Sequence, residues 1–170
     1  MRLLKADEID VKVKQVNQNG CLLLLYKTAR IDMQVLDEEY GPMNWQCEYK
    51  DINGVLYCGI GVYNKETGAW VWKWDCGIES RDNDGMEKKG QASDAFKRAG
   101  FKWGIGRELY TAPFIWARVP TTKVGDSYYL QDRYARFYVD SIEYNKAGDI
   151  VGLVINDNKG QTVYKSRKAV

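Results

Sequence analysis

The stretch "NWQCEYKDINGVLYCGIGVYNKETGAWVWKWDCG", residues 44–77, constrains the fold more than any other part of the chain. Asn53-Gly54 is the dipeptide that tolerates the two positive φ angles of a tight hairpin turn, and "NKETG" offers a longer connection. Three antiparallel strands in a meander follow. In the third, Trp70, Trp72, Trp74 and Cys76 alternate with Val71, Lys73 and Asp75, so the period of two projects three indoles from one face. The expected role of that stripe is core packing against a helix. An indole near the strand end is left for a subunit contact or for a nucleic-acid base. Gly59 and Gly61 in the middle strand allow a close backbone approach.

The helix that covers such a sheet is written in "KKGQASDAFKRAGFKWG". At about 100° per residue Ala92, Ala95, Phe96, Ala99 and Trp103 fall on one stripe, with Lys97, Arg98 and Lys102 on the other side. The spacing predicts an amphipathic helix over 87–103, ended by Gly104 and Gly106. Phe101 projects among the cations, placed to stack on a base or pack on a neighbouring subunit. Upstream, the apolar run of "CLLLLYKTAR" after the turn signal "NQNG" predicts a buried strand over 21–26. Ala29, Met33, Leu36 and Tyr40 then recur at helical spacing, which predicts a helix over 28–40 stopped by Gly41 before Pro42. Residues 121–135 have the polarity of a surface connection. "RFYVDSIEYN", "DIVGLVIND" and "QTVYK", separated by "KAGD" and "NDNKG", predict a C-terminal β-meander that extends the main sheet or packs beside it.

The expected class is therefore α+β: a three-stranded antiparallel meander packed on a long basic helix, preceded by a strand and a short helix. The C-terminal strands complete it. A chain of 170 residues suits one domain over 1–170, with a core at about 20–110 and a β extension at about 135–166.

Composition removes several chemistries. The chain has 25 basic and 23 acidic residues, so only local clustering argues for an anionic partner. It has no histidine, and its cysteines, Cys21, Cys47, Cys58 and Cys76, lack metal-ligand spacing; they read as reduced core residues of a cytoplasmic protein. Asp37-Glu38-Glu39 and Asp82 with Asp84 read as a solvated helix face and a polar loop, not as a metal centre. No metal, cofactor or catalytic role is expected. "GIGVYN" and "GIGREL" complete no phosphate-loop motif. The start, "MRLLKADEID", is charged where a signal peptide is apolar, and no run is long enough to span a membrane. Six Trp, twelve Tyr and four Phe exceed the needs of one core, and a basic helix beside flat side chains suits a single nucleic-acid strand. Lys88, Lys89, Lys97, Arg98, Lys102 and Arg107 form the cationic run, opposed by Asp94 and Glu108.

The order of strand, helix, "EEYGPMNW", meander, polar loop and "KKGQASDAFKRAGFKWG" resembles the Rad fifty-two superfamily of single-strand annealing proteins, in its bacteriophage and bacterial annealase branch. Tyr40, Gly41 and Trp45 correspond to the step from helix to meander, and Ser93, Asp94, Ala95, Phe96, Lys97, Arg98 and Ala99 to the start of the basic helix. The likeness covers residues 20–110. It implies a homo-oligomeric ring that binds single-stranded DNA and anneals complementary strands without ATP in recombination and repair, with a single-strand-binding protein as a further candidate partner. Arg30, Lys97 and Arg98 take the family's DNA-contacting positions. Phe101 and Lys102 stand where the family has a third arginine, and Lys88, Lys89 and Arg107 join from charge alone. The alternatives from the residues themselves are a double-stranded RNA or DNA-binding module, which shares the element order, and a non-enzymatic phage structural or adaptor protein.

Overall fold

The computed structural model describes residues 1–78 and 87–167. In chain order the elements are β1 (Asp10–Asn17), β2 (Gly20–Tyr26), α1 (Ala29–Tyr40), β3 (Trp45–Ile52), β4 (Val55–Asn64), β5 (Ala69–Cys76), α2 (Glu87–Lys102), β6 (Ile115–Ala117), β7 (Thr121–Val124), β8 (Ser127–Leu130), β9 (Phe137–Tyr144), β10 (Ile150–Asp157) and β11 (Thr162–Arg167). They gather in two compact units. One takes Met1–Arg2 and Thr28–Gly106, the other Leu3–Lys27 and the chain from Arg107 on. β2, expected as the first element of a core over 20–110, thus belongs with the C-terminal strands and not with the meander.

In the first unit β3, β4 and β5 pair antiparallel in that order. Asn53 (φ 54) and Gly54 (φ 77) form the turn between β3 and β4, and both angles are those that the hairpin turn demands. α2 packs on the meander, as the residue pattern requires: Ala95, Phe96 and Ala99 on the helix and Cys58, Ile60 and Val62 on β4 are all buried. α1 stops at Gly41, whose φ of 85 ends the helix while its amide still bonds to the Asp37 carbonyl. Val35 and Leu36 of α1 are fully buried. α1 meets α2 at Gly100, where a Cβ would lie 2.8 Å from Oδ2 of buried Asp32; only the smallest residue fits.

In the second unit six strands make one sheet in the order β11-β10-β9-β1-β2-β6, and β7 with β8 makes a separate hairpin. The C-terminal meander extends the β1–β2 pair, not the β3–β5 sheet. The stretch expected as a surface connection is that hairpin, paired from Thr121↔Leu130 to Val124↔Ser127. Its alternation of polar and β-branched or aromatic residues is short enough to pass for a loop. β1 begins with a period of two, Val11 and Val13 between Asp10, Lys12 and Lys14, which ends at the bulge between Val13 and Gln15, and β2 and β9 flank it. Cys21, Leu23, Ile115 and Ala117 are buried on the side of β2 and β6 that faces the core. Buried Glu108 accepts the Leu4 amide at 2.8 Å, and the Tyr144 hydroxyl donates to the Leu4 carbonyl at 2.8 Å, which ties the N-terminal segment to this unit.

No helix among the described residues is long and apolar enough to cross a membrane. All four cysteines are free, but only Cys21 and Cys58 are core residues; Cys76 is half-buried and Cys47 is exposed. Burial pushes the Cys21 thiol up to about 11. Cys58 is pushed up to about 12, first by burial and then by the charge of Cys47, against a lowering hydrogen bond from Tyr49. At pH 8 such thiols are about one part in a thousand thiolate or less. A thiol reagent at pH 8 is therefore expected to modify Cys47 in the folded protein and to reach Cys21 and Cys58 only after unfolding. From the ordinary thiol value of 9.0 up to about 11 for Cys21, the unfolded chain gives up protons that the native chain keeps. Stability consequently falls as pH rises through that window, which urea titrations at pH 8 and pH 10 check.

Candidate functional site

Register decides where the tryptophan stripe points. Gly59 pairs with Trp74, Gly61 with Trp72 and Tyr63 with Trp70 across β4 and β5. Cys58, Ile60 and Val62 are the buried, helix-facing residues of β4, so the alternate positions and their partners lie on the opposite face. The three indoles therefore face away from α2. This corrects the expectation that they pack against a helix. The helix side of β5 is instead Val71, Lys73 and Asp75. Lys73 Nζ donates to the Lys102 carbonyl at 3.1 Å and sits 4.2 Å over the Trp103 ring, while Asp75 meets both Arg98 and Lys102.

On the outer face the two glycines set the geometry of the rings. A Cβ at Gly59 would fall 2.4 Å from the Trp74 ring, and one at Gly61 would fall 2.8 Å from the Trp72 ring. With hydrogen in place of a side chain, both indoles lie down on the backbone of β4, one face against it. Their centroids are 5.6 Å apart with planes at 24°. Tyr63 and Trp70 continue the row edge to face at 5.5 Å and 61°. Trp70 remains 39% exposed, and Trp72 and Trp74 are half-buried, as rings covered on one side must be.

Two cations converge on Trp74. Lys50 Nζ, from β3, lies 4.4 Å from the ring centroid, and Lys102 Nζ is hydrogen-bonded to the Trp74 carbonyl. Arg98 Nε stands 3.5 Å from Asp75 Oδ1 and Lys102 Nζ 3.7 Å from Asp75 Oδ2. Lys50 has its own carboxylate, Glu48, at 3.3 Å. On the indole face Lys50 is paired with Glu48, while Arg98, Lys102 and Asp75 stand together on the helix side of the same strand. These pairs are close to half exposed on the cationic side, and such surface pairs contribute about 0–1 kcal/mol. A phosphate competes with them readily.

The residues singled out in the sequence are only in part brought together. Arg98 and Lys102 share Asp75 and reach the strand that carries the indoles. Lys97 is half-buried and lies round the helix from that pair; Phe101, expected to be exposed, is half-buried too. Lys88 and Lys89 are exposed at the start of α2, about 15 Å along the axis from Arg98 at 1.5 Å per residue. Arg30 is exposed at the start of α1. Arg107 is exposed and belongs to the second unit. Cations of α2 do not form one uninterrupted stripe. Lys50, Lys73 and Asp75 were not read from the sequence as site residues; the signal for them is the register that sets "GIG" opposite "WKW".

Other positions have structural work. Trp45 donates from Nε1 to Asp37 Oδ1 at 2.7 Å and packs its ring 6.1 Å from Phe96, and Tyr40 meets Trp103 edge to face at 5.9 Å. Glu38 pairs with Arg2, and Glu39 with the N-terminal amine at 3.5 Å. The carboxylates at Asp37, Glu38 and Glu39 are thus engaged with protein groups. Among the described residues no group of three or more acidic or cysteine side chains is placed to hold a metal ion; Asp82 and Asp84 lie outside the described residues.

Comparison with protein-family models, curated proteins and solved structures finds no match to this chain.

The glycine–indole contact makes its own prediction. Gly59→Ala forces the Trp74 ring off the sheet, so the coupled circular-dichroism signal of the Trp72–Trp74 pair is expected to collapse as it does in Trp74→Phe. Far-ultraviolet spectra of the two variants, compared with an alanine change at exposed Thr67 as control, measure this.

Proposed function

We propose that the protein binds single-stranded DNA on the outer face of the β3–β5 sheet and anneals complementary strands without ATP, as a homo-oligomer. The observation that carries the proposal is the convergence at Trp74. One residue offers a flat-lying indole, a cation 4.4 Å above that ring and a second cation on its own carbonyl. Single strands are held by aromatic faces on which bases stack and by cations that follow the phosphates. Trp70, Trp72 and Trp74 supply the first and Lys50 the second on the outer face, while Lys102 and Arg98 reach the edge of β5 from the helix side. The resemblance of residues 20–110 to single-strand annealing proteins points the same way, with the binding face moved from the helix to the strand beside it.

The charge balance makes binding stacking-led. For single strands the logarithm of affinity falls with the logarithm of salt with a slope of about −0.7 per neutralised phosphate. With Lys50 alone on the indole face and already paired with Glu48, the expected slope is about −0.7 per chain or less, far shallower than a continuous basic track. Trp74→Ala is expected to weaken binding of an oligothymidylate by about 1–3 kcal/mol with little change in slope. Asp75→Asn, which frees Arg98 and Lys102, is expected to tighten binding and steepen the slope. Fluorescence anisotropy over a salt series reads both. Equal affinity of wild type and Trp74→Ala for single strands, or preference for duplex, overturns the proposal.

Assembly has a matching surface. β3 is an edge of its sheet, and every residue from Gln46 to Ile52 is exposed, the kind of edge that pairs with another chain unless something blunts it. The proposal assigns β3 to contact between copies. Light scattering is expected to report an oligomer, and Cys47→Pro, which removes a main-chain donor that points out from the open edge, to shift it toward monomer; a wild-type monomer at micromolar concentration rules the assembly out.

A further inference from the structure

The second unit holds a hollow that the sheet face just described does not include. Its volume is about 560 Å³ and Asn17, Asn19, Trp116 and Arg118 line it, within the size range of small-ligand sites. Its construction follows from strand register. Leu22 pairs with Trp116 and Cys21 with Ala117. Cys21, Leu23, Ile115 and Ala117 are the buried positions, so Phe114, Trp116 and Arg118 lie on the outer face of the sheet. Phe114 and Trp116 are parallel, with planes at 6° and centroids 6.2 Å apart, and Phe114 is 71% exposed. Gly20, at φ +136, brings β2 so close that a Cβ there would meet the Ala117 carbonyl oxygen at 2.0 Å. No side chain therefore separates the Asn17 end of β1 from Arg118.

The polar groups are of a definite kind. The Asn19 amide donates to Asn17 Oδ1 at 2.7 Å, which fixes the Asn17 side chain and leaves its Nδ2 hydrogens as donors. Among the described residues, neither the Asn19 side chain nor the Arg118 guanidinium has a protein partner. Two parallel rings ask for a flat ligand. The carboxamides supply donors and an acceptor suited to the edge of a heterocycle, and Arg118, one step along the same face from Trp116, asks for an anion. A sugar satisfies the ring alone, and a peptide carboxylate the arginine alone.

We propose that this hollow binds a nucleobase that carries a phosphate, the base on Trp116 and Phe114, its edge at Asn17 and Asn19, and the phosphate at Arg118. The site stands on residues of the second unit and does not depend on the Trp74 face. The ligand's source is a free nucleotide or one residue of a single strand, and the test separates them.

The experiment uses the full chain and two probes, deoxyadenosine monophosphate and a single-stranded oligonucleotide carrying 5-iodouracil. Titration with the monophosphate is followed by the indole N–H resonances. Saturable shifts of Trp116, weakened at least tenfold in Arg118→Gln but not in Trp74→Ala, support a nucleotide site. Photo-crosslinking of the oligonucleotide to the peptide containing residues 114–118, lost in Arg118→Gln, supports a single strand as the source even where the monophosphate is too weak to titrate. Arg118 is exposed, so its change to Gln does not threaten the fold. Absence of both signals overturns the site. Shifts and crosslinks confined to residues 70–74 overturn it too, while leaving the first binding face intact.

Discussion

The contact on which the rest depends is the one between two glycines of β4 and two indoles of β5. A tryptophan on the exposed face of a sheet is ordinarily a liability, because it stands up from the strands and offers both ring faces to anything apolar. Where the cross-strand neighbour has no side chain, the ring lies down, gains dispersion contacts along one whole face and loses rotamer freedom. What remains outward is a single flat face, which at Trp74 carries the Lys50 ammonium 4.4 Å from the ring centroid. That geometry explains why Trp72 and Trp74 are half-buried without being core residues, and it couples side-chain orientation to a backbone feature that any larger residue at Gly59 or Gly61 removes.

Asp75 decides the electrostatic character of this face. It lies on the helix side of β5, one residue from Trp74, and holds Arg98 and Lys102 at the strand that carries the indoles. The same carboxylate cancels much of their charge. Without it the two cations are free to follow solvent, and Lys102 loses the anchor that keeps its ammonium beside the Trp74 carbonyl. Position and charge are thus exchanged against each other. On the proposed function, such a face holds flat rings more than it holds a polyanion.

Much of this was legible in the sequence, and the failures have physical causes. The meander, both helices and the three C-terminal strands follow from turn dipeptides and from periods of two and 3.6, which are local properties. The face taken by α2 does not follow, because in β5 both alternating sets carry apolar atoms: Trp70, Trp72 and Trp74 on one side, Val71 and the stem of Lys73 on the other. Only the burial of Cys58, Ile60 and Val62 in the adjacent strand breaks the tie. Likewise the cations of α2 could be counted but not paired, since Asp75 is distant in sequence from Arg98 and Lys102. β1 carries a period of two over only five residues, Asp10 to Lys14, before the bulge at Val13 and Gln15 breaks it, and its pairing with β2, Leu23 and Leu25 among the partners, sustains the strand.

On the proposed function, the strength of the aromatic grip bears on how annealing proceeds without an energy source. Base–aromatic stacking is worth about 1–3 kcal/mol per base, and a step of duplex DNA gains about 1.4 kcal/mol from its own stacking. These are comparable. A base resting on Trp72 or Trp74 is held well enough to keep the strand from folding on itself, yet it is given up at nearly no cost when a complementary strand offers pairing and stacking together. A steep electrostatic grip has the opposite property, because the duplex carries twice the phosphate charge and is retained more tightly than either strand. A face that holds rings more than charges therefore favours release of the product, and the carboxylate at Asp75 is what keeps it on that side.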